Sequence, residues 1–299
     1  MNPASPITDA AGSVGMSGAD FRRIARTVQD EFGIFLPDVK KDLVYSRLLK
    51  RVRHLRLADF TAYCDLVESP AGNAERMEML SALTTNVTNF FREMHHFDLL
   101  RDEVLPPLLQ AARQGRRVRL WSAGCSSGQE PYSIALTVLS LLPDAARHDV
   151  RILATDVDPP VLGRARAGVY PATDGNAIPE AMLSQFAEIT SEGLRIGDAA
   201  RALVTFAPLN LMSDWPMRST FDVIFCRNVA IYFDAPTQVR LWQRFTAIMA
   251  PRAHLMIGHS ERISGPADAL LENVGFTAYQ LRDQAVERPN ATRTEGATA

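Results

Sequence analysis

Cysteine is scarce in this chain. Cys64, Cys125 and Cys226 are an odd number with no paired spacing, which excludes a disulfide framework and suits a reducing compartment. No metal-ligand spacing emerges, so no metal is expected. No apolar run approaches the ~20 residues needed to span a bilayer, and nothing at the start reads as a charged-then-apolar signal peptide. A cytoplasmic protein without membrane insertion is expected. A charge of one sign is missing too: the formal net charge of −2 argues against bulk electrostatic binding of nucleic acid, leaving only a local basic patch open. Nucleotide signatures are also incomplete. No Lys-Ser/Thr follows the glycines as a P-loop requires, and the G-x-G-x-x-G fingerprint is absent because Gly124 and Gly128 stand alone.

What is present is a chain of 299 residues, 46% of them hydrophobic, long enough for one large domain or two unequal ones. Residues 1–16 and 285–299 are poor in large apolar side chains and are expected to be flexible. Between them, 17–83 reads as helical, opening with Ser17 as a cap and placing Phe21, Ile24, Val28 and Phe32 at helical spacing. From Val118 onward, strand-like runs such as Val150 to Ala154 and Phe221 to Cys226 alternate with helices. That alternation predicts an α/β fold, a doubly wound parallel sheet covered on both faces. About 171–207 the rhythm breaks. Gly193 to Ile196 and Ala202 to Phe206, separated by Gly197-Asp198, predict two short strands and a tight turn, a small inserted antiparallel subdomain; the alternative is an elongated loop.

The most informative stretch is RLWSAGCSSGQEPYS, 119–133. An apolar run enters a small-residue turn, and Pro131 falls where the first turn of a helix tolerates it. Strand, loop, helix is the reading, and the Asp156 that ends the next run could hold two ribose hydroxyls. Glu130 at the mouth of the helix would repel a pyrophosphate but suit a ligand carrying an ammonium and a sulfonium. S-adenosylmethionine is such a ligand. An ordinary glycine-bearing turn is the plain alternative.

TTNVTNFFREMHHF (84–97), LWSAGCSSGQEPYSIAL (120–136), ATDVDPPVLGRARAGVY (154–170), FDVIFCRNVAIYFD (221–234) and GHSE (258–261) together resemble the CheR family of chemotaxis receptor glutamate O-methyltransferases, in the family's order and spacing. The resemblance implies a small all-α domain over 17–83, a linker at 84–97 that enters the active site, and an S-adenosylmethionine-dependent methyltransferase domain over 98–284. It implies cofactor contacts at Asn86, Thr88, Arg92, Gly124, Glu130, Asp156, Asn210, Leu211, Arg227 and Asn228, and places Tyr232 beside the transferred methyl group. Arg92 and Tyr232 are the candidate catalytic residues; Arg92 could grip either the substrate carboxylate or the cofactor's own. The implied partner is the cytoplasmic helical bundle of chemoreceptors, met by a monomer through the basic stripe of Arg47, Lys50 and Arg51, for which an ordinary solvated helix face is the alternative. Ala230 and Gln129 depart from the family pattern without removing a named contact.

Simpler roles compete at several positions. Asp156 could cap the helix after it. His95 and His96 read as exposed residues opening a helix, Phe233 as core, and Cys226 as buried packing. Two other functions compete as well: a nucleic-acid methyltransferase, which would need the N/D-P-P-Y/F/W motif or Pro-Cys pair missing here, and a catalytically silent S-adenosylmethionine-binding signalling module.

Overall fold

The computed structural model describes residues 8–9 and 13–283. The expected flexible tail, 285–299, and most of the expected flexible start lie outside the described residues. A two-residue ladder, β1 (Thr8–Asp9) with β2 (Ser13–Val14), precedes the first helix. Helix α1 (Gly18–Phe32) starts where the sequence predicts: the Asp20 amide donates to the Ser17 hydroxyl while the Asp20 carboxylate accepts from the Ser17 amide, a reciprocal capping box. It stops at Gly33, whose left-handed φ of 72° needs no side chain and whose absent Cβ would lie 2.5 Å from the Met212 sulfur.

Helices α2 (Lys41–His54), α3 (Phe60–Glu68) and α4 (Asn73–Leu83) complete an all-α unit. Ile24, Val28, Val44, Leu48, Phe60 and Leu80 meet in its core, each fully buried or nearly so. Glu75 is buried there as well. It accepts two hydrogen bonds from Arg51, at 3.0 and 2.6 Å, and one from the Tyr63 hydroxyl at 2.9 Å. Burial, then the Glu75 charge, pushes the Tyr63 phenol far above its ordinary range and keeps it a donor. Glu75→Ala should therefore cost about 3–5 kcal/mol, because it leaves the buried Tyr63 hydroxyl without its acceptor and the Arg51 charge with only the half-exposed Glu78 beside it. Urea unfolding monitored by circular dichroism checks this, and a loss below about 1 kcal/mol would show the pair to be only a surface contact.

The last three residues of the expected 84–97 linker already belong to α5 (His95–Leu99), which a wide turn joins to α6 (Leu105–Arg113). Then follow β3 (Val118–Ala123), α7 (Gln129–Leu141), β4 (Val150–Asp156), α8 (Pro159–Ala167), β5 (Val169–Tyr170), α9 (Glu180–Phe186), β6 (Ala187–Thr190), β7 (Gly193–Ile196), α10 (Asp198–Leu203), β8 (Val204–Pro208), β9 (Phe221–Cys226), α11 (Ala235–Ile248), β10 (Met249–Ile257), α12 (Pro266–Leu270), β11 (Leu271–Gly275) and β12 (Ala278–Leu281). The main sheet has the order β11-β12-β10-β9-β3-β4-β8, parallel from β10 to β8 and antiparallel at β12 and β11. Every residue of β9 is buried, as expected of a central strand covered by helices on both faces. The chain winds outward from β3 through β4 to β8, then returns to the other side of β3 as β9. That reversal opens a crevice beyond the carboxyl ends of β3 and β9, where open α/β sheets place ligands.

The inserted subdomain exists, but its strands differ from the sequence expectation. Its hairpin is β6 with β7, turning at Ser191-Glu192, and β5 adds a third antiparallel strand. Gly197-Asp198 is no turn; it starts α10. Ala202 and Leu203 end that helix, while Val204 to Phe206 belong to β8 and run parallel to β4 in the main sheet. The physical reason is that the true turn carries no Asn-Gly or Asp-Gly signal. It is held by Thr190, whose hydroxyl accepts from the Glu192 amide at 3.1 Å.

Candidate functional site

The β3–α7 loop is shaped by three left-handed residues, Gly124 (φ 82°), Ser126 (φ 48°) and Gly128 (φ 96°). The Gly124 and Cys125 amides donate to the Thr155 carbonyl at 2.8 and 2.9 Å, which binds the loop to the end of β4. A Cβ on Gly124 would lie 2.4 Å from Val229, so the loop after β9 rests directly on this glycine. Gly124→Ala should consequently displace both loops and lower S-adenosylhomocysteine affinity by roughly 10²-fold, read by calorimetry; wild-type affinity would show that the clash relaxes elsewhere.

Two acids frame the crevice. Asp156 closes β4 and accepts from the Ser126 amide at 2.8 Å and the Asp158 amide at 3.0 Å. It does not cap α8, whose N-cap is Asp158. Glu130, in the first turn of α7, accepts from the Ser122 hydroxyl at 2.7 Å and lies 3.7 Å from Arg227. Burial raises both carboxyls above the usual range, opposed at Asp156 by backbone N–H groups and at Glu130 by Arg227 and then Ser122. Between them opens a cavity of 540 Å³, within the range of small-molecule sites.

The linker forms one wall. Arg92 lines the cavity and donates to the Val87 carbonyl at 3.2 Å; no other protein partner meets its guanidinium among the described residues. Its neighbours Phe91 (φ 51°) and Glu93 (φ 56°) are both left-handed, a strained placement that surrounding contacts must hold. The Phe91 amide donates to the Ser133 hydroxyl at 2.9 Å, and Arg227 donates to the Arg92 carbonyl. Tyr232 faces the linker: its hydroxyl donates to the Thr85 carbonyl at 3.3 Å, and its own carbonyl accepts from Phe35 at 2.8 Å. The residues from the all-α unit, Phe32, Ile34 and Leu80, close that side of the cavity.

The fit to an S-adenosyl ligand rests on unpaired polar atoms. Arg227 Nε and Nη1 and Asn228 Oδ1 are buried without a hydrogen-bond partner, a costly state that a polar ligand relieves. Together with the Asp156 and Glu130 carboxylates they offer acceptors for ribose hydroxyls and an ammonium, and donors for a carboxylate. Thr88 and Leu211 also line the cavity. Asn86 does so with its amide donating to Asp158 at 3.2 Å. The Asn210 side chain is already engaged, donating to the Glu31 carbonyl at 2.7 Å and accepting from the Met212 amide at 2.9 Å.

The basic stripe is divided by the structure. Arg51 is held by Glu75 and lies 3.1 Å from Glu78, and Arg47 donates to the Leu83 carbonyl and, at 2.9 Å, to the Thr85 hydroxyl. Lys50, Arg53 and His54 remain exposed. His96 is also a correction: it is fully buried, with Nε2 3.1 Å from both the Phe276 carbonyl and the Thr277 hydroxyl. Burial, then Arg227, pulls its pKa down to about 3. Glu93, His95 and His96 bring one ligand atom each within 4.8 Å of one another; Arg227, 3.7 Å from Glu93, supplies the counter-charge there. Phe233 and Cys226 are buried as expected, and burial pushes the Cys226 thiol well up. Sequence reasoning missed Glu93, Asp158 and Glu261. All three lie inside quoted motifs, and that adjacency was the available signal.

Residues 86–279 match the family model described as CheR methyltransferase, SAM binding domain, and residues 19–84 match CheR methyltransferase, all-alpha domain. A probable chemotaxis protein methyltransferase of Rhizobium etli is 54% identical over 265 residues, 87% of this chain and 99% of that protein. The chemotaxis protein methyltransferase of Escherichia coli is 41% identical over 84% of this chain and 87% of its own length. Chemotaxis protein methyltransferase 2 of Pseudomonas aeruginosa is 40% identical over 87% of this chain and 92% of its own length.

Proposed function

The chain belongs to the CheR methyltransferase family, and we propose that it methylates glutamate side-chain carboxylates on the cytoplasmic helical bundle of chemoreceptors, as a cytoplasmic monomer. It is an S-adenosylmethionine-dependent methyltransferase of chemotaxis. The glutamate target is supported above all by Arg92, a planar cation on the cavity wall with one hydrogen bond to the protein among the described residues.

When bound, the cofactor supplies a sulfonium methyl group as electrophile. The residues of the chain do the rest. Asp156 would hold the ribose and Glu130 the ammonium, with Arg227 and Asn228 lining the same cavity. Arg92 orients a carboxylate, and Tyr232, tied to Thr85, sets the wall opposite. A glutamate with pKa near ~4.3 is already the nucleophile at neutral pH, so no residue need act as a base. Catalysis then lies in alignment and in excluding water that would solvate the acid. Lys50, Arg53 and His54 are placed to steer an acidic helical partner.

Incubation of the protein with receptor membranes and methyl-labelled cofactor should give base-labile protein esters. Label that survives base would contradict the glutamate target, and cofactor binding without transfer to any receptor would favour a silent module.

A further inference from the structure

Glu261 lies in the turn after β10 and is 4% exposed. Its carboxylate accepts four backbone N–H groups: Gly258 at 2.6 Å and Asn228 at 3.1 Å on one oxygen, Val229 at 2.9 Å and Ile231 at 3.2 Å on the other. Three of these four donors belong to the 227–232 segment, which carries Arg227, Asn228 and Tyr232 into the cavity. So one acid, in the turn after the neighbouring strand β10, fixes the turn after β9.

The turn has a specific shape to hold. Asn228 is left-handed at φ 58°, a conformation that asparagine tolerates better than most residues with a side chain. Its amide reaches Glu261 only because residue 258 lacks a Cβ, which would lie 2.8 Å from the Asn228 nitrogen and 2.6 Å from Nδ2. The same turn leaves Asn228 Oδ1 and Arg227 Nη1 buried and unpaired beside the ligand space. An ionised carboxylate is the side chain that matches four converging donors. A glutamine in its place would turn an NH2 toward two of them.

We infer that Glu261 is a positioning residue for the methyl-donor site: its carboxylate holds the 228–231 backbone in the form that presents Asn228, Arg227 and Tyr232 to the cofactor. The inference rests on the proposed placement of the cofactor against that turn. It adds a residue that touches neither ligand, and it predicts that the number of acceptors at 261, rather than volume, sets cofactor affinity.

Calorimetry with S-adenosylhomocysteine on the full chain tests it, with thermal unfolding and receptor kinetics measured beside it. Glu261→Gln should weaken S-adenosylhomocysteine binding by roughly 10²-fold and lower kcat, with the receptor KM within about twofold. Glu261→Asp, which keeps the charge and both acceptors, should recover a large part of the loss. Wild-type binding by Glu261→Gln, or equal loss in the Gln and Asp variants, would overturn the inference. If Glu261→Gln does not fold, Gly258→Ala disturbs the same turn while leaving the carboxylate in place, and wild-type affinity in that variant would overturn it equally. Failure of the unsubstituted protein to bind S-adenosylhomocysteine would instead overturn the cofactor placement.

Discussion

Arg92→Ala is expected to lower kcat by roughly 10²–10³-fold, the scale of losing one preorganised charged contact in a water-poor site, while receptor affinity changes by less than about twofold. The asymmetry follows from position. Arg92 lines the cavity rather than the outer face of the all-α unit, and its backbone is clamped by Arg227 while left-handed neighbours stand on each side. Removing the guanidinium leaves the clamp intact, so the wall stays and only the grip on a carboxylate is lost. Arg92→Lys keeps the charge without the planar two-point fork and should fall between alanine and the native residue. Two measurements separate the possible targets of that grip. If Arg92 holds the glutamate, S-adenosylhomocysteine affinity persists in the alanine variant; if it holds the cofactor's carboxylate, calorimetry shows affinity falling in step with kcat. Equal losses in receptor binding and turnover would remove Arg92 from the site altogether.

The parts of this molecule that were legible in the sequence are those where the information is local. Strands β3 and β9 are buried along almost their whole length and β4 buries Val150, Ile152, Ala154 and Thr155, so their apolar runs stand out, and α1 announces itself through Ser17 and Asp20. Motif residues spread over more than a hundred positions converge on one cavity because they sit in the linker or just beyond the carboxyl ends of strands, Glu130 in the first turn of the helix after β3. What was hidden depends on distant partners. Val204 to Phe206 read as a hairpin strand because nothing local reveals that β4, some fifty residues earlier, is its neighbour. Arg47 and Arg51 share a helix face, as their spacing says, but spacing does not reveal that α4 brings Glu75 and Glu78 against that face. Glu261 is harder still: its role is written in amides thirty or more residues away, and an amide has no sequence signature.

Asp156→Ala should weaken S-adenosylhomocysteine binding on the order of 10²-fold or more, since a carboxylate hydrogen bond is worth roughly 1.5–3 kcal/mol and the ribose offers two hydroxyls. The pH dependence carries a sharper test. Burial raises the Asp156 carboxyl in the unliganded protein, with the Asp158 and Ser126 amides pulling it partway back. Ribose hydroxyls donate to the ionised form and so favour it. Affinity should accordingly be full above the raised pKa of the free site and decline as pH falls through it, at a pH above that of an ordinary aspartate, with proton release on binding in that window. Asp156→Asn has no such proton. Its affinity should be low throughout, and any slope that remains reports Glu130 and Glu261, whose carboxyls are likewise raised by burial. A native protein whose affinity stays flat down to the ordinary carboxylate range, or an asparagine variant that keeps the native slope, would mean that the ribose is held elsewhere.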